Sequence, residues 1–254
     1  MKRLNGMTGL LTGAAGAIGS ETARHCLREG ARVVLVDRDA NKLGTLKREL
    51  LGELVLAEEQ VLCLEADVTS DERMHALAGE VARSVGSLDF LFANAGVEGP
   101  VQDLREYPTE GFQQVLNVNV TGVFLTLKYF EPDLVEGGSI LITSSVVGLK
   151  GSPRSAAYVA SKHAVVGLMR TAAKGLAARR IRVNTVHPGL VESDMLRRIE
   201  SGLQGLGMDD PRKSFMNATP MGTTTRSTVR PSSCASSSAK IVVYPSTTRR
   251  GTSS

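Results

Sequence analysis

Cysteine is scarce in this chain: only Cys26, Cys63 and Cys234 occur, with no C-x-x-C spacing and no histidine cluster beside them. That excludes a disulfide framework and a thiolate zinc site, gives no reason to expect a metal, and suits a reducing, cytoplasmic compartment. Long apolar runs are also missing. Nothing approaches the roughly 20 apolar residues of a membrane helix. The start, MKRLNGMTGLLTGAAGAIG, is broken by Asn5 and by glycines before a compact apolar segment forms, so no export signal is expected. Acid is absent from one end: all 26 acidic residues lie at or before Asp210. Residues 223–254 carry Arg226, Arg230, Lys240, Arg249 and Arg250 and no acid, leaving 25 basic against 26 acidic residues in 1–222. The pI of 9.1 therefore belongs to the tail, and the body lacks the basic footprint of a nucleic-acid binder.

What is present is an alternation of short apolar runs and amphipathic stretches. Strands are expected at Met7–Leu11, Arg32–Val36, Val61–Leu64, Leu88–Ala93, Ser139–Thr143 and Arg182–Val186, with helices at 18–29, 40–52, 71–85, 109–131 and 156–178. Six β-rich runs separated by helices imply βαβ units and a parallel sheet covered on both faces. With 254 residues, 42% of them apolar, the chain has ample material for one large core.

TGAAGAIG, at 12–19, follows the first strand and opens the first helix, although Gly13, Gly16 and Gly19 fall at equal steps of three instead of GxGxxG. Glycines there permit positive φ and close approach of backbone to a ligand, and the helix start offers free N–H groups to a pyrophosphate. Asp37 closes the second strand, 18 residues after Gly19, near the spacing at which an acid binds the adenosine ribose. An acid at that point favours NAD over NADP. Arg38 beside it pulls the other way, because an arginine accommodates the extra phosphate. In YVASK, Tyr158 and Lys162 lie four apart and so share a helix face. A fixed ammonium favours phenolate and lowers a tyrosine's pKa, giving a usable acid–base group.

Together these segments resemble the short-chain dehydrogenase/reductase family. TGAAGAIG, VD at 36–37, ADV at 66–68, ANAG at 93–96, NVNVTG at 117–122, ITSSVVG at 142–148, YVASK at 158–162 and VNTVHPGLVESDM at 183–195 run in family order. The loop's Ala17 stands where the branch with chains of this length usually has glycine. The resemblance implies an α/β fold: a Rossmann-type doubly wound parallel sheet in a single domain, residues 1–222. It further implies that Tyr158 exchanges a proton with the substrate, and that Lys162 lowers its pKa and binds the nicotinamide ribose. Ser145 would hold the substrate oxygen and Asn119 a relay water. Ser144 and Asn117 are the neighbouring alternatives to these two. The cofactor would rest on Gly13, Gly16, Ala17, Ile18 and Gly19, on Asp37, on Asp67 and Val68 at adenine, and on Asn94, Ala95 and Gly96. Pro188, Gly189, Val191 and Ser193 complete its cradle, with Val191 and Ser193 at the carboxamide. His187 receives no duty.

The resemblance stops at residue 222. Of residues 223–254, 16 of 32 are Ser or Thr, a composition that buries little apolar surface. Only AKIVVYP, 239–245, has strand character. This atypical Ser/Thr-rich C-terminal tail is expected to be a low-complexity, disordered segment or the product of a shifted reading frame near codon 223. The family's usual homodimer or homotetramer is put in doubt by it. The expected activity is hydride transfer between NAD, less readily NADP, and a secondary alcohol or ketone, including cyclic ones. The alternatives are a 3-oxoacyl thioester reductase, or a chain that binds the cofactor but is inactivated by its altered end. Residues 190–222 are long enough to form a lid over the substrate.

Overall fold

The structure, a computed structural model, describes residues 2–217; the expected tail, 223–254, including AKIVVYP, lies outside the described residues. Six parallel strands are ordered β3-β2-β1-β4-β5-β6. They are β1 Thr8–Thr12, β2 Arg32–Asp37, β3 Val61–Glu65, β4 Leu88–Ala93, β5 Leu134–Thr143 and β6 Arg182–Val186. Between and after them run α1 Ala17–Arg28, α2 Ala40–Leu54, α3 Asp71–Val85, α4 Thr109–Leu116, α5 Gly122–Phe130, α6 Ala156–Gly175, α7 Asp194–Gly205 and α8 Pro211–Asn217.

The strands read as continuous apolar runs because helices cover both faces. Alternate residues go to opposite sides, as the twofold period of a strand requires. Leu10, Val34 and Val36 face a core shared with Met74, Leu77, Val165 and Met169 of α3 and α6. Leu11, Val33 and Leu35 face Ala23, Leu27, Leu43, Leu46 and Leu50 of α1 and α2. Gly9 pairs with Phe90 of β4, and a Cβ on it would lie 2.0 Å from the Phe90 ring. Side-chain caps fix helix entries: Asp39 accepts from Lys42 N at 3.0 Å and Ser70 from Arg73 N at 3.2 Å.

The sheet order reverses between β1 and β4. At such a switch point a crevice opens beyond the carboxyl ends of the strands, which is where ligands bind in open α/β sheets. Two expectations need correction. The helix expected over 109–131 widens into a single π turn at Asn117–Thr121 between α4 and α5. β5 starts at Leu134, earlier than expected, after a register shift between Leu88 and Phe90 opposite it. The stretch expected to be long enough for a lid, 190–222, carries two helices, α7 and α8, within its described part.

Candidate active site

Most predicted site residues lie just beyond the carboxyl end of a strand, while Asn119 comes from the π turn and Tyr158 and Lys162 from the first turns of α6. After β1, Gly13 adopts φ +61°, and a Cβ there would stand 2.7 Å from Ala95 Cα. A Cβ on Gly19 would come within 2.3 Å of Gly13 O. These two glycines are required by the protein's own packing. Gly16 is exposed, and its Cβ would meet only Gly13 O, at 3.4 Å; space on its outer side is open for a ligand. The entry of α1 at Gly16 has no side-chain cap, so among the described residues no side chain caps the first-turn N–H groups, which include those of Ala17 and Ile18. The cradle fits a pyrophosphate.

Asp37, half-buried at the end of β2, accepts from Ala15 N at 3.0 Å and from Asp39 N at 3.2 Å. Its carboxylate is thereby pinned to the lip of the loop, with Arg38 exposed beside it. A depression of about 340 Å³ opens next to this lip between Ala15, Ser20, Lys42 and Thr45. Another, of about 370 Å³, is lined by Glu65, Ala66, Asp67 and Arg73, at the place expected for adenine. Asp67 is held as a turn by Thr69, whose N and Oγ1 donate to its Oδ1 at 2.9 and 2.8 Å. Val68 is buried against Gly122, where a Cβ would stand 2.6 Å from Val68 Cγ2.

Asn94 ties three strands together. Its amide nitrogen donates to Thr12 O and Gly13 O at 3.2 and 3.1 Å, and its Oδ1 accepts from Thr143 Oγ1 at 3.0 Å. Ala95 N donates to Thr12 Oγ1 at 3.3 Å. Gly96 lies where a Cβ would stand 3.2 Å from Asn119 Oδ1 and 3.4 Å from Lys162 Nζ. Asn119, fully buried in the π turn, accepts from Val97 N at 2.8 Å and donates to Val97 O at 2.9 Å. It also donates to Ser161 Oγ at 3.0 Å. Asn117, the alternative, is exposed.

Ser145 follows β5 and faces the Tyr158 phenol closely enough to favour its charged form. Ser144 turns away and donates to Lys162 O at 2.8 Å. The structure therefore brings Asn119, Ser145, Tyr158 and Lys162 together and directs both alternatives elsewhere. Lys162, 3% exposed, donates from Nζ to Thr143 O at 2.8 Å and lies 5.5 Å from the Tyr158 ring centroid. The expected lowering of the Tyr158 pKa does not emerge. Burial pushes the phenol up to about 12, partly opposed by Ser145, and the Glu98 carboxylate adds to the rise. Burial also pulls Lys162 down to about 8. Desolvation penalises both charged forms before either helps the other.

Beyond β6, Pro188 O accepts from Val146 N at 3.1 Å, and a Cβ on Gly189 would meet nothing within 4 Å. Ser193 Oγ donates to Val191 O at 3.1 Å and accepts from Leu196 N at 3.2 Å, so it caps α7 while facing the expected carboxamide segment. Sequence reasoning passed over His187. Fully buried, it contacts Ser145 O through Nδ1 and Thr185 Oγ1 through Nε2, both at 2.9 Å, and so supports the backbone that presents Ser145. Its place directly after β6 in HPG was the available signal. Glu98 and Arg198, paired across 100 residues of chain, gave no sequence signal at all.

Comparison with known proteins agrees with this fold. The short chain dehydrogenase family model matches residues 8–204. The (−)-trans-carveol dehydrogenase of Rhodococcus erythropolis is 35% identical over 208 residues, 78% of this chain and 75% of that protein. The 3-oxoacyl-[acyl-carrier-protein] reductase of Thermotoga maritima is 34% identical over 222 residues, 87% of this chain and 85% of that protein. The crystal structure of NAD⁺-bound xylitol dehydrogenase superposes with a TM-score of 0.81 at 33% identity, covering 89% of this chain and 90% of that one. The chain belongs to the short chain dehydrogenase family, oxidoreductases that work with a nicotinamide cofactor on alcohols and ketones.

Proposed function

We propose that this protein is an NAD-preferring oxidoreductase that interconverts a secondary alcohol, including cyclic ones, and its ketone. The observation that carries this reading is the meeting of Tyr158, Ser145, Lys162 and Asn119 beside a glycine loop whose packing requires Gly13 and Gly19. Pyrophosphate would lie on Gly13–Gly19 including Ala17 and Ile18, the adenosine on Asp37, Asp67 and Val68, and the nicotinamide half near Asn94–Gly96, Pro188, Gly189, Val191 and Ser193. When bound, the nicotinamide supplies the hydride acceptor or donor.

The chain's own residues handle the proton. Ser145 donates a hydrogen bond to the substrate oxygen. In ketone reduction Tyr158 gives its proton to that oxygen, a task suited to a phenol that burial holds protonated up to about 12. In alcohol oxidation the phenolate accepts the hydroxyl proton, so that direction gains with rising pH. Lys162, charged below a pH of about 8, favours the negative charge that develops on the phenol oxygen as its proton leaves; Asn119 fixes the Val97 backbone beside them.

NAD preference is supported by the carboxylate of Asp37 at the loop's lip, which repels a ribose phosphate. Assembly as a homodimer or homotetramer and a cytoplasmic location are part of the same proposal. The likeness to the Thermotoga maritima reductase favours a second reading, reduction of 3-oxoacyl thioesters. Assaying cyclic alcohols with NAD against 3-oxoacyl thioesters with NADPH separates the two. Tyr158→Phe tests the core of the proposal. Activity should fall by about 10²–10⁴-fold, the usual contribution of a positioned acid–base group, while NAD still raises the melting temperature. Retained turnover in that variant defeats the assignment.

A further inference from the structure

We propose that Glu98 and Arg198 form a latch that fastens α7 against the loop after β4, beside the active site, and tunes proton exchange there. The inference rests on the reading of Tyr158 as the proton-exchanging residue. Arg198 sits on α7 and Glu98 in the loop after β4. Arg198 donates from Nε to Glu98 Oε1 and from Nη2 to Oε2, the latter at 3.3 Å, the two-pronged geometry that an arginine makes with a carboxylate.

The contact is part of a continuous seam. Arg198 and Gly202 are one turn apart on α7 and so share a face. A Cβ on Gly202 would stand 2.8 Å from Val101 Cβ, so α7 lies against the 97–103 loop at both ends of that turn. Leu196 and Leu203 are buried beneath the helix. Arg212 of α8 pairs with Glu200 of α7 at 3.2 Å and with Glu192 just before it, holding the helix from its other side. Below the latch, Val97, next to Glu98, is clamped by the Asn119 amide.

The pair is asymmetric. The Glu98 side chain is 11% exposed and that of Arg198 is 61% exposed. The carboxylate is mostly buried in the loop after β4, two residues past Gly96, where a Cβ would stand 3.4 Å from Lys162 Nζ, and the guanidinium reaches it from solvent with the helix. The groups that bear on the phenol are Lys162 from its own helix, the Ser145 hydroxyl from the end of β5, with His187 behind that serine's carbonyl, and the Glu98 carboxylate from the loop after β4. Arg198 of α7 acts through Glu98. With the latch closed, the guanidinium offsets the carboxylate's charge. With it open, an uncompensated anion faces Tyr158 and holds the proton on it. The sign follows: removing Arg198 raises the proton affinity of Tyr158, and removing the Glu98 charge lowers it.

The experiment is the pH profile of alcohol oxidation at saturating NAD for four proteins: wild type, Glu98→Gln, Arg198→Gln and the double variant. The rising limb of kcat/KM should move to lower pH in Glu98→Gln and to higher pH in Arg198→Gln. Each shift should be about half a unit to one unit, or about threefold to tenfold in rate at a fixed pH below the limb. Arg198→Gln should also raise KM, because α7 loses its fastening. The double variant should follow Glu98→Gln, since Arg198 acts only through that carboxylate. Arg198→Lys, which keeps the charge on an exposed side chain, should restore the limb to within a few tenths of a unit. A limb that stays in place in Arg198→Gln, or moves the same way as in Glu98→Gln, overturns the latch. If Tyr158→Phe keeps its activity, it is the proton-exchange reading that has failed; if Tyr158→Phe is inactive and the limbs do not move, only the latch has failed.

Discussion

At the scale of single residues the site is a contest between burial and charge. Tyr158 and Lys162 share a helix face, as their spacing requires, yet burial drives the phenol up to about 12 and the ammonium down to about 8. The YVASK motif named the two groups but not this opposition, because their surroundings come from elsewhere in the chain: Thr143 and Ser145 from the end of β5 and Glu98 from the loop after β4. The opposition has a measurable consequence for stability. A lysine whose folded pKa lies below its unfolded value of about 10.4 binds fewer protons folded than unfolded between those two values. Stability attributable to it therefore rises with pH in that window and is lowest below about 8. Lys162→Met removes the term. The wild type should gain on this variant by on the order of 2–3 kcal/mol as pH goes from 8 to 10, read from urea unfolding at a series of pH values. A difference that stays flat across that range means Lys162 is not desolvated as described. The variant should also lose turnover at every pH.

At the scale of elements, the pattern of apolar runs located all six strands, and β4 and β6 fall at their expected ends. It failed in two places, each for a physical reason. β5 begins early because its first residues pair with β4 only across a register shift, which no local pattern encodes. In the helix expected over 109–131 the run Asn117–Gly122 consists of weak helix formers, but propensity alone does not say that the chain widens there into a π turn instead of breaking. That turn serves the site. It sets Asn119 against the Val97 peptide and Ser161, joining the helix to the loop after β4 and to α6. Such wide turns recur at functional sites because one extra residue redirects a side chain. Asn119→Ala strands the part-buried N–H and C=O of Val97. An unpaired buried polar group costs about 1–3 kcal/mol, and the two Val97 groups are only part-buried, so the variant should lose about 1–3 kcal/mol by urea unfolding, and activity should fall with it. A loss below about 1 kcal/mol would mean the turn is held by the packing of α4, α5 and α6, and that the amide merely occupies the space.

At the scale of the whole molecule, the sequence's division into an ordered body and a Ser/Thr-rich end can be put to a test of function. The residues proposed to hold the cofactor run from Gly13 to Ser193, and the sheet that aligns them is complete to β6 within the described residues. Their shared location was legible because a parallel sheet sends the loops after its strands to one edge, so motifs in the right order converge there. The latch, the His187 support and the fastening of α7 were not legible, since each joins side chains distant in sequence. Every residue in that list precedes 223, so a chain ending at residue 222 should bind NAD as the full chain does. A ligand that binds only the folded state stabilises it by about 2.7 kcal/mol at a hundredfold excess over Kd, and thermal unfolding with and without NAD reads this directly. Equal shifts in the two chains, larger with NAD than with NADP, place cofactor recognition wholly in 1–222 and give Asp37 the deciding role. A larger shift with NADP transfers that role to Arg38. If the shorter chain loses its cooperative transition while the full chain keeps one, residues 223–254 contribute to the fold, and the domain boundary proposed at 222 is wrong.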